Sequence, residues 1–295
     1  MNKKELRFVG LSKNCFDNLC SNLDFLQKFK KISNFKIEII IIDSDSIDGT
    51  KKFCRDLDKA GKLDKFIEVD NLSKKFESRI ERLTYCRNIG LEEIRSTYES
   101  PLIYIPMDMD LKLFDLINVD EFENLINLFI EEKNFDCLLP FSVPYYYDIF
   151  ALRKEDWVDG NALFKAYKLK KKFYIGSFIF NYFYIFRKQL GTKSFKNDFI
   201  KVESAFGGMG LYKISDINLL KENYKIDELN VDFVTEHIAF NKFFENIYIS
   251  KNWNIKAPKE HTVFKSSNFT QKFIYILRTL KYDFLGLFNA LRGKI

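Results

Sequence analysis

Two aspartates, Asp108 and Asp110, stand one residue apart where an apolar stretch beginning at Pro101 comes to an end. The stretch has the composition of a β-strand, and residues two apart on a strand point to the same side. Both carboxylates would then reach one hard cation. A divalent ion held by one or two carboxylates, with phosphates in its other positions, is typical of magnesium-type chemistry. An Asp-x-Asp pair also fits a solvated turn, so this metal-site prediction depends on other stretches of the chain.

Four further stretches contain residue types that such chemistry needs. They are the polar turn Asp43–Thr50, the segment Tyr85–Gly90, the glycine-dense segment Ser204–Tyr212 and the acidic segment Thr235–Asn241. Gly207 and Gly208 allow backbone conformations and close approaches that other residues forbid. The chain has two histidines, His237 and His261.

Composition narrows the classes of protein that fit. The 295 residues include 46% hydrophobic and 17% aromatic residues with few Gly and Pro, which indicates a folded protein and excludes a disordered one. Five scattered cysteines without a Cys-x-x-Cys pair support neither a zinc site nor a disulfide framework, which favours a reduced, cytoplasmic protein. We find no signal peptide and no apolar window long enough to span a membrane.

The net charge of +6 is unevenly distributed along the chain. One basic cluster contains Lys165, Lys168 and Lys170 to Lys172, and the last thirty residues are also basic. A polyanionic partner, a nucleotide diphosphate or an anionic membrane surface would each suit this charge, and so would an ordinary solvated surface.

Strands and helices alternate over about the first 115 residues. We predict strands over 7–12, 37–43, 66–69 and the stretch before Asp108, and helices over 19–29, 51–60 and 78–96. This alternation predicts a parallel α/β sheet whose carboxyl edge would carry the acidic turns. Beyond Asp110 the pattern is less regular, with a helix expected over 122–132, a strand over 136–142 and an ambiguous aromatic run over 145–153.

The sequence pattern at the end of the chain predicts a basic amphipathic helix. Its apolar residues recur at three- and four-residue spacing: Phe273, Ile276, Leu277, Leu280, Phe284, Leu287, Phe288 and Leu291. Such a helix lies in a membrane interface, packs on the rest of the chain, or pairs with a second copy as a homodimer. All three remain open from the sequence.

Taken together, the stretches resemble the GT-A glycosyltransferases, and in particular the capsule α-1,3-mannosyltransferase-like proteins of bacteria and fungi. The resemblance rests on the order of acidic turn, Arg-Asn, Asp-x-Asp, Tyr-Asp-x-x-Ala-Leu-Arg, Gly-Gly and Glu-His over about residues 8–265. It implies a GT-A fold, which is a Rossmann-like, nucleotide-sugar-binding mixed sheet flanked by helices. Residues 1–265 would form the catalytic domain, with a nucleotide-sugar half over 1–115, an acceptor half over 116–265 and a helical tail over 266–295.

The resemblance also implies roles for individual residues. Metal ligands would be Asp108, Asp110 and His261, with His237 as the alternative to His261. Donor-binding residues would be Asp43, Asp45, Arg87, Asn88 and Asp108. Acceptor-binding residues would be Gly207, Gly208, Tyr147, Asp148, Arg153 and His237. Glu236 would be the catalytic base if transfer inverts the anomeric carbon. Each of these roles has a simpler alternative. Glu236 would be a surface residue, Arg87 would form a salt bridge on a helix face, and the aromatic run would pack in the core.

The implied activity is a metal-dependent transfer, with Mn²⁺ or Mg²⁺, of a hexose from a nucleotide sugar to a glycan or lipid-linked saccharide in surface polysaccharide synthesis. No nucleic-acid partner is implied, and the site of action would be the cytoplasm or the cytoplasmic face of the membrane. Two features depart from the family pattern: Ser44 replaces a second acid or Asn, and Pro106 interrupts the strand before Asp108. A nucleotidyltransferase and a non-catalytic sugar-nucleotide or glycan-binding protein are the competing interpretations.

Overall fold

The computed structural model describes residues 4–99, 101–162, 164–165, 177–221, 223–226, 235–261 and parts of 269–284. These residues form one eight-stranded sheet in the order β3-β2-β1-β4-β7-β5-β8-β6. The strands are β1 Glu5–Ser12, β2 Lys36–Ser44, β3 Lys65–Val69, β4 Leu102–Asp108, β5 Cys137–Val143, β6 Phe199–Val202, β7 Leu211–Ile214 and β8 Ile247–Lys256. Strands from both expected halves of the chain therefore share a single sheet.

Eight α-helices connect or flank the strands in the described part of the chain. They are α1 Phe16–Ile32, α2 Thr50–Lys59, α3 Leu72–Lys75, α4 Arg79–Ser96, α5 Val119–Glu131, α6 Ser177–Tyr184, α7 Ile217–Lys221 and α8 Glu236–Asn241. The expected α/β architecture, a mixed sheet flanked by helices, is confirmed.

The first four strands pair in parallel, as the alternating sequence pattern predicts. β7 runs antiparallel to both β4 and β5 and makes the sheet mixed. Alternate residues of the central strands enter two apolar clusters on opposite faces, with Val9 and Ile40 on one and Phe8 and Ile39 on the other. Burial on both faces accounts for the continuous apolar runs in these strands.

Capping residues fix where two of the helices begin. At α4, Ser78 Oγ accepts from the Ile80 amide at 3.1 Å while Glu81 accepts from the Ser78 amide at 3.3 Å. This reciprocal capping satisfies backbone donors that the first helical turn leaves unpaired. For α2 the N-cap is Gly49, which lies in the left-handed region with φ of 99° and has no side chain to cap the helix. Instead, Asp48 accepts a hydrogen bond of 3.1 Å from the Thr50 amide.

Pro106 does not interrupt β4, contrary to the sequence-based expectation. It lies inside the strand, opposite Val9 of β1. In a strand, the backbone groups of residues two apart face the same neighbouring strand. The amide of Asp108, two residues after Pro106, donates to Gly208 O at 2.8 Å, on the side of β7. The Pro106 nitrogen faces that side too, beyond the end of the β4–β7 ladder at Tyr104. Its missing N–H therefore costs no ladder hydrogen bond.

The tail is described only in part. The described residues of 269–284 are helical, and Phe269, Phe273, Leu277 and Phe284 are exposed there. Leu287, Phe288 and Leu291 of the predicted apolar stripe lie outside the described residues, as do Lys168 and Lys170 to Lys172 of the basic cluster. No helix in the described part of the chain is long and apolar enough to cross a membrane.

Candidate functional site

The carboxyl edge of the parallel strands holds both aspartates of the Asp-x-Asp pair. Asp108 is the last residue of β4, whereas Asp110 lies in the turn that follows, where the Leu111 amide donates to Asp108 O at 3.2 Å. The side-chain alternation of a strand therefore explains the direction of Asp108 but not that of Asp110. Met109 between them is fully buried, and the two carboxylates line the same cavities.

Two cavities meet at these aspartates and share four wall residues, Arg79, Leu83, Asp108 and Asp110. The smaller cavity has a volume of about 280 Å³; its remaining walls are Leu11, Ser12, Lys13, Ile42, Ser44, Arg82 and Cys86. The larger cavity has a volume of about 470 Å³; its polar walls also include Tyr147, Asp148, Gln189, Thr235, Glu236, His237 and His261. The two cavities therefore have one pair of carboxylates in common.

Arg87 connects Asp108 to Glu236 beneath the floor of the site. Its guanidinium forms a short ion pair with Asp108, and its Nε lies 3.7 Å from Glu236 Oε1. Arg87 is fully buried and contacts the ring of Phe206, with Cζ 5.0 Å from the ring centroid. Burial by itself lowers the pKa of Arg87, but Asp108, followed by Tyr224 and Glu236, raises that pKa above its ordinary value. Arg87 is therefore a permanent positive charge between two acids.

Two of the acids that line the cavities, Asp110 and Glu236, hold protons more tightly than free side chains do. Loss of water around Asp110, together with the charge of Asp108, raises the pKa of Asp110 to about 6. Burial is also the main cause that raises the pKa of Glu236, against the opposing effect of Arg87. A cation beside Asp108 and Asp110 would stabilise both carboxylates in their charged form. For Glu236, a raised pKa suits a general base near neutral pH.

Glu236 is positioned by the start of α8. Thr235 is the N-cap, its Oγ1 accepting from the His237 amide at 3.3 Å and donating to Glu236 Oε2 at 3.1 Å. His237 follows in the cavity wall, stacked on Phe206 with ring centroids 3.6 Å apart. Burial, followed by the charge of Arg87, lowers the pKa of His237 well below its usual value, so its imidazole is neutral. Neither of its ring nitrogens has a hydrogen-bond partner among the described residues.

His261 reaches the larger cavity from the opposite side. Its ring lies nearly parallel to that of Tyr147, with centroids 5.6 Å apart. Its carbonyl oxygen accepts a hydrogen bond of 2.7 Å from Gln189, which lines the same cavity. Asp108, Asp110 and His261 thus share a cavity, but within the described ranges no three His, Cys, Asp or Glu side chains are grouped closely enough to hold a metal.

The Gly-Gly segment supports the end of β4. Gly207 and Gly208 have φ of 76° and 98°, in the left-handed region that favours glycine. The Gly207 amide donates to Asp148 Oδ2 at 2.9 Å, and Asp148 also accepts from the Ala151 amide at 3.2 Å. Asp148 therefore orders the backbone around the cavity that it lines. Arg153, also expected at the acceptor, donates to the carbonyls of its own segment and does not line either cavity described here.

Four of the five predicted donor-binding residues lie outside the wall of the smaller cavity. Asp43 is fully buried and accepts from Ser12 and Ser46, whereas Asp45 accepts from the backbone of Asn71 and Ser73. The Asn88 amide group exchanges hydrogen bonds of 3.0 and 2.8 Å with the Tyr224 backbone. Of the donor-binding set, only Asp108 forms part of the wall of the smaller cavity.

Three cationic residues that sequence reasoning missed form that wall instead: Lys13, Arg79 and Arg82. Arg82 donates to the carbonyls of Phe76 and Glu77, at 2.7 and 2.8 Å. Arg79 makes no hydrogen bond or ion pair with the rest of the described chain. A signal for Arg79 and Arg82 was present in the sequence, because they are three residues apart in the Arg-rich helix α4 and therefore share one helical face.

No protein-family model matches the sequence, and no curated protein matches it significantly. Among solved structures, S. aureus TarS 1-349 in complex with UDP has a TM-score of 0.44 and 14% identity, over 88% of this chain and 62% of that one. Mannosyltransferase PcManGT from Pyrobaculum calidifontis in complex with GDP-Man and Mn²⁺ has a TM-score of 0.47 and 13% identity, over 99% of this chain and 65% of that one.

Mannosyl-3-phosphoglycerate synthase from Rubrobacter xylanophilus has a TM-score of 0.40 and 11% identity, over 99% of this chain and 75% of that one. The chain spans less than two thirds of the TarS structures, 61% for TarS 1-349 and 38% for the longer structure. The likeness is limited at these scores, so the chemistry of the site rests on the residues of this chain.

Proposed function

We propose that this chain is a metal-dependent GT-A glycosyltransferase that moves a hexose from a nucleotide sugar to a hydroxyl of a glycan or lipid-linked saccharide in surface polysaccharide synthesis. The observation that carries the proposal is the meeting of two cavities at Asp108 and Asp110. One cavity has cationic walls suited to a nucleotide diphosphate. The other contains a buried Glu236 suited to an acceptor hydroxyl.

The donor would occupy the smaller cavity. Lys13, Arg79 and Arg82 supply positive charge for the two phosphates, and Arg donates to phosphate oxygens in a bidentate manner. Apolar walls at Leu11 and Ile42 offer a surface for the nucleoside. Asp43, predicted to bind the donor directly, would instead hold the loop behind it through Ser12 and Ser46.

Asp108 and Asp110 would hold Mn²⁺ or Mg²⁺. The fit is supported by the raised pKa of Asp110, because a nearby cation offsets both the loss of water around its carboxylate and the repulsion from Asp108. When bound, such an ion neutralises charge that grows on the departing diphosphate. With one Asp108 oxygen paired to Arg87, the carboxylates leave several coordination positions to the phosphates and water, which is usual for these ions. His261 stays a candidate further ligand from the same cavity.

In the proposed reaction, the acceptor oxygen bonds to the anomeric carbon as the bond from that carbon to the diphosphate breaks. The nucleoside diphosphate leaves with the electron pair, and Glu236 takes the proton of the acceptor hydroxyl if the transfer inverts the anomeric carbon. The raised pKa of Glu236 makes it a stronger base than an exposed carboxylate. Its hydrogen bond from Thr235 orients Oε2, and His237, as a neutral imidazole, offers a partner to a sugar hydroxyl.

Thermal-shift titration tests this proposal with a panel of nucleotide sugars, with and without Mn²⁺. We expect stabilisation by at least one sugar nucleotide that depends on the metal. Asp110→Ala should abolish this metal-dependent shift and keep the fold, because Asp110 lies in a turn at the cavity mouth. The matched control is Asp115→Ala, whose carboxylate lies 3.8 Å from Lys112 and lines neither cavity. Equal metal-dependent binding by both variants would contradict the metal site.

A further inference from the structure

The segment between β5 and β6 has an unusual charge and aromatic content. From residue 160 to residue 197 the sequence contains nine lysine and arginine residues, no aspartate or glutamate, and eleven aromatic residues. Over the whole chain, by contrast, 47 basic residues are balanced by 41 acidic ones. The segment is therefore a strongly cationic part of a nearly balanced protein, and its charge is not explained by the proposed catalytic site.

Within this segment, helix α6 (Ser177–Tyr184) turns large apolar side chains toward solvent. Ile179, Tyr182 and Phe183 are 52%, 39% and 50% exposed. Their spacing of three and four residues places them on one helical face. Arg187 continues that face one turn further, with its guanidinium 5.4 Å from the centroid of the Phe183 ring. The result is an apolar stripe with a cation at its end.

We propose that α6 and the basic residues that follow it, Arg187, Lys188, Lys193 and Lys196, dock on an anionic lipid surface. An apolar helical face with Lys and Arg beside it is the pattern of a helix that lies in a membrane interface. Aromatic side chains of Tyr and Phe are favoured at the level of the lipid headgroups, where the cations meet anionic lipids. A single-stranded nucleic acid would also attract the charge, but the exposed aliphatic Ile179 gains from lipid burial and offers no stacking surface to a base.

The position of α6 relates this surface to the larger cavity. Immediately after α6, the chain contributes Ile185, Phe186 and Gln189 to the cavity wall, and Gln189 holds the carbonyl of His261. A membrane that covers the stripe would therefore lie beside the mouth of that cavity. An acceptor carried on a membrane lipid would then enter the larger cavity from the membrane on which the protein lies. Only this statement about the acceptor rests on the proposed function.

Vesicle co-sedimentation of the full chain tests the proposal without any activity measurement. The probes are vesicles of phosphatidylcholine alone and of phosphatidylcholine with phosphatidylglycerol. We expect binding to the anionic vesicles at low salt, weakened about tenfold or more on neutral vesicles or at high salt. The variant I179S/Y182S/F183S should lose about tenfold or more of this binding because it removes the apolar stripe. Its matched control is I32S/I47S/L116S, three exposed apolar residues outside the segment.

A second variant keeps the test informative if the apolar variant fails to fold. R187Q/K193Q/K196Q removes three charges from exposed positions and leaves the stripe in place, and it should weaken anionic binding by a similar factor. Its control, K31Q/K133Q/K256Q, removes three exposed charges elsewhere. The proposal is overturned if the wild-type chain ignores anionic vesicles at low salt. It is equally overturned if the α6 variants bind like wild type while F273S/L277S in the tail does not, or if an oligonucleotide binds more tightly than the vesicles.

Discussion

Nε of Arg87 lies 3.7 Å from Oε1 of Glu236, and the same guanidinium is paired with Asp108. One buried cation thus balances the acid proposed to bind metal and the acid proposed to act as base. Removing one partner of a buried ion pair leaves an uncompensated charge, which is far more costly than losing an exposed pair. The stability of the fold therefore depends on the contacts of Arg87 with both Asp108 and Glu236.

Arg87→Met should destabilise the protein by about 3–5 kcal/mol, because it leaves Glu236 and Asp108 without their buried partner. The free energy of unfolding from urea titrations measures this loss. Arg82→Met is the control, since Arg82 lies on the same helix but is only half-buried. We expect the double variant R87M/E236Q to lose less than the sum of the two single variants. Strict additivity would show that Arg87 and Glu236 do not interact.

Glu236→Gln should lower turnover by about two or more orders of magnitude, the range for losing a general base. Donor affinity should stay the same, because Glu236 lines the larger cavity and not the smaller one. Steady-state kinetics with a separate donor-binding titration measure the two effects. Glu245→Gln, an exposed acid near the end of α8, is the control. Near wild-type turnover in Glu236→Gln would make Glu236 structural, and a product with retained configuration would remove the inverting role.

The stability of the protein should depend on pH through Glu236. Burial raises its folded pKa above the unfolded value of 4.5, so over the window between them the folded state binds more protons than the unfolded state. The Glu236 contribution therefore lowers the unfolding free energy as pH rises through that window, and the loss is complete above the folded pKa. Unfolding titrations between about pH 4 and pH 8 should show Glu236→Gln gaining stability relative to wild type as pH rises. A pH-independent difference would contradict the raised pKa.

Gly208→Ala should destabilise the fold more than Gly61→Ala. Both glycines have positive φ, 98° and 64°, so each substitution carries about 1–2 kcal/mol of backbone strain. A Cβ at Gly208 would also collide with Leu111, whereas nothing lies within 4 Å of a Cβ at Gly61. Because Gly208 O accepts from the Asp108 amide, donor binding should fall as well. Urea titrations compare the two variants, and equal losses would show that Leu111 yields without cost.

Arg79→Met should weaken binding of a sugar nucleotide by about tenfold or more, the effect of losing a hydrogen bond to a charged group. The fold should be unaffected, because Arg79 is exposed and forms no ion pair within the described chain. Isothermal titration calorimetry measures the affinity. Arg55→Met removes an exposed arginine that pairs with Glu68 away from both cavities, and it serves as the control. Unchanged affinity would remove Arg79 from the donor site.

The parallel half of the fold could be predicted because its signals are local. Apolar runs mark β1, β2 and β4, and the predicted helices agree with α1, α2 and α4 to within a few residues. Pro106 was misjudged because its effect depends on which side of the strand is paired, and that is set by β7 more than a hundred residues later. The local periodicity of the sequence contains no information about such a distant neighbour.

The place of the candidate site in the fold could be predicted, but the contacts of its individual residues could not. The acidic turns, Arg87 and Glu236 all lie near the carboxyl edge. Sequence patterns do not show burial, however, and they gave no sign that Arg87 is buried or that Asn88 bonds to the Tyr224 backbone. Arg79 and Arg82 were missed because only the folded chain shows which face of α4 borders a cavity.

The position of β7 has a consequence for how the chain is made. β4 is the last strand of the parallel half, and its outer neighbour is formed by Leu211–Ile214. While a ribosome is still synthesising residues before these, β4 has an unpaired edge with apolar side chains, which is the kind of surface that recruits other strands. A nascent or truncated chain ending before residue 211 should therefore aggregate or need a chaperone, even though its first four strands are complete.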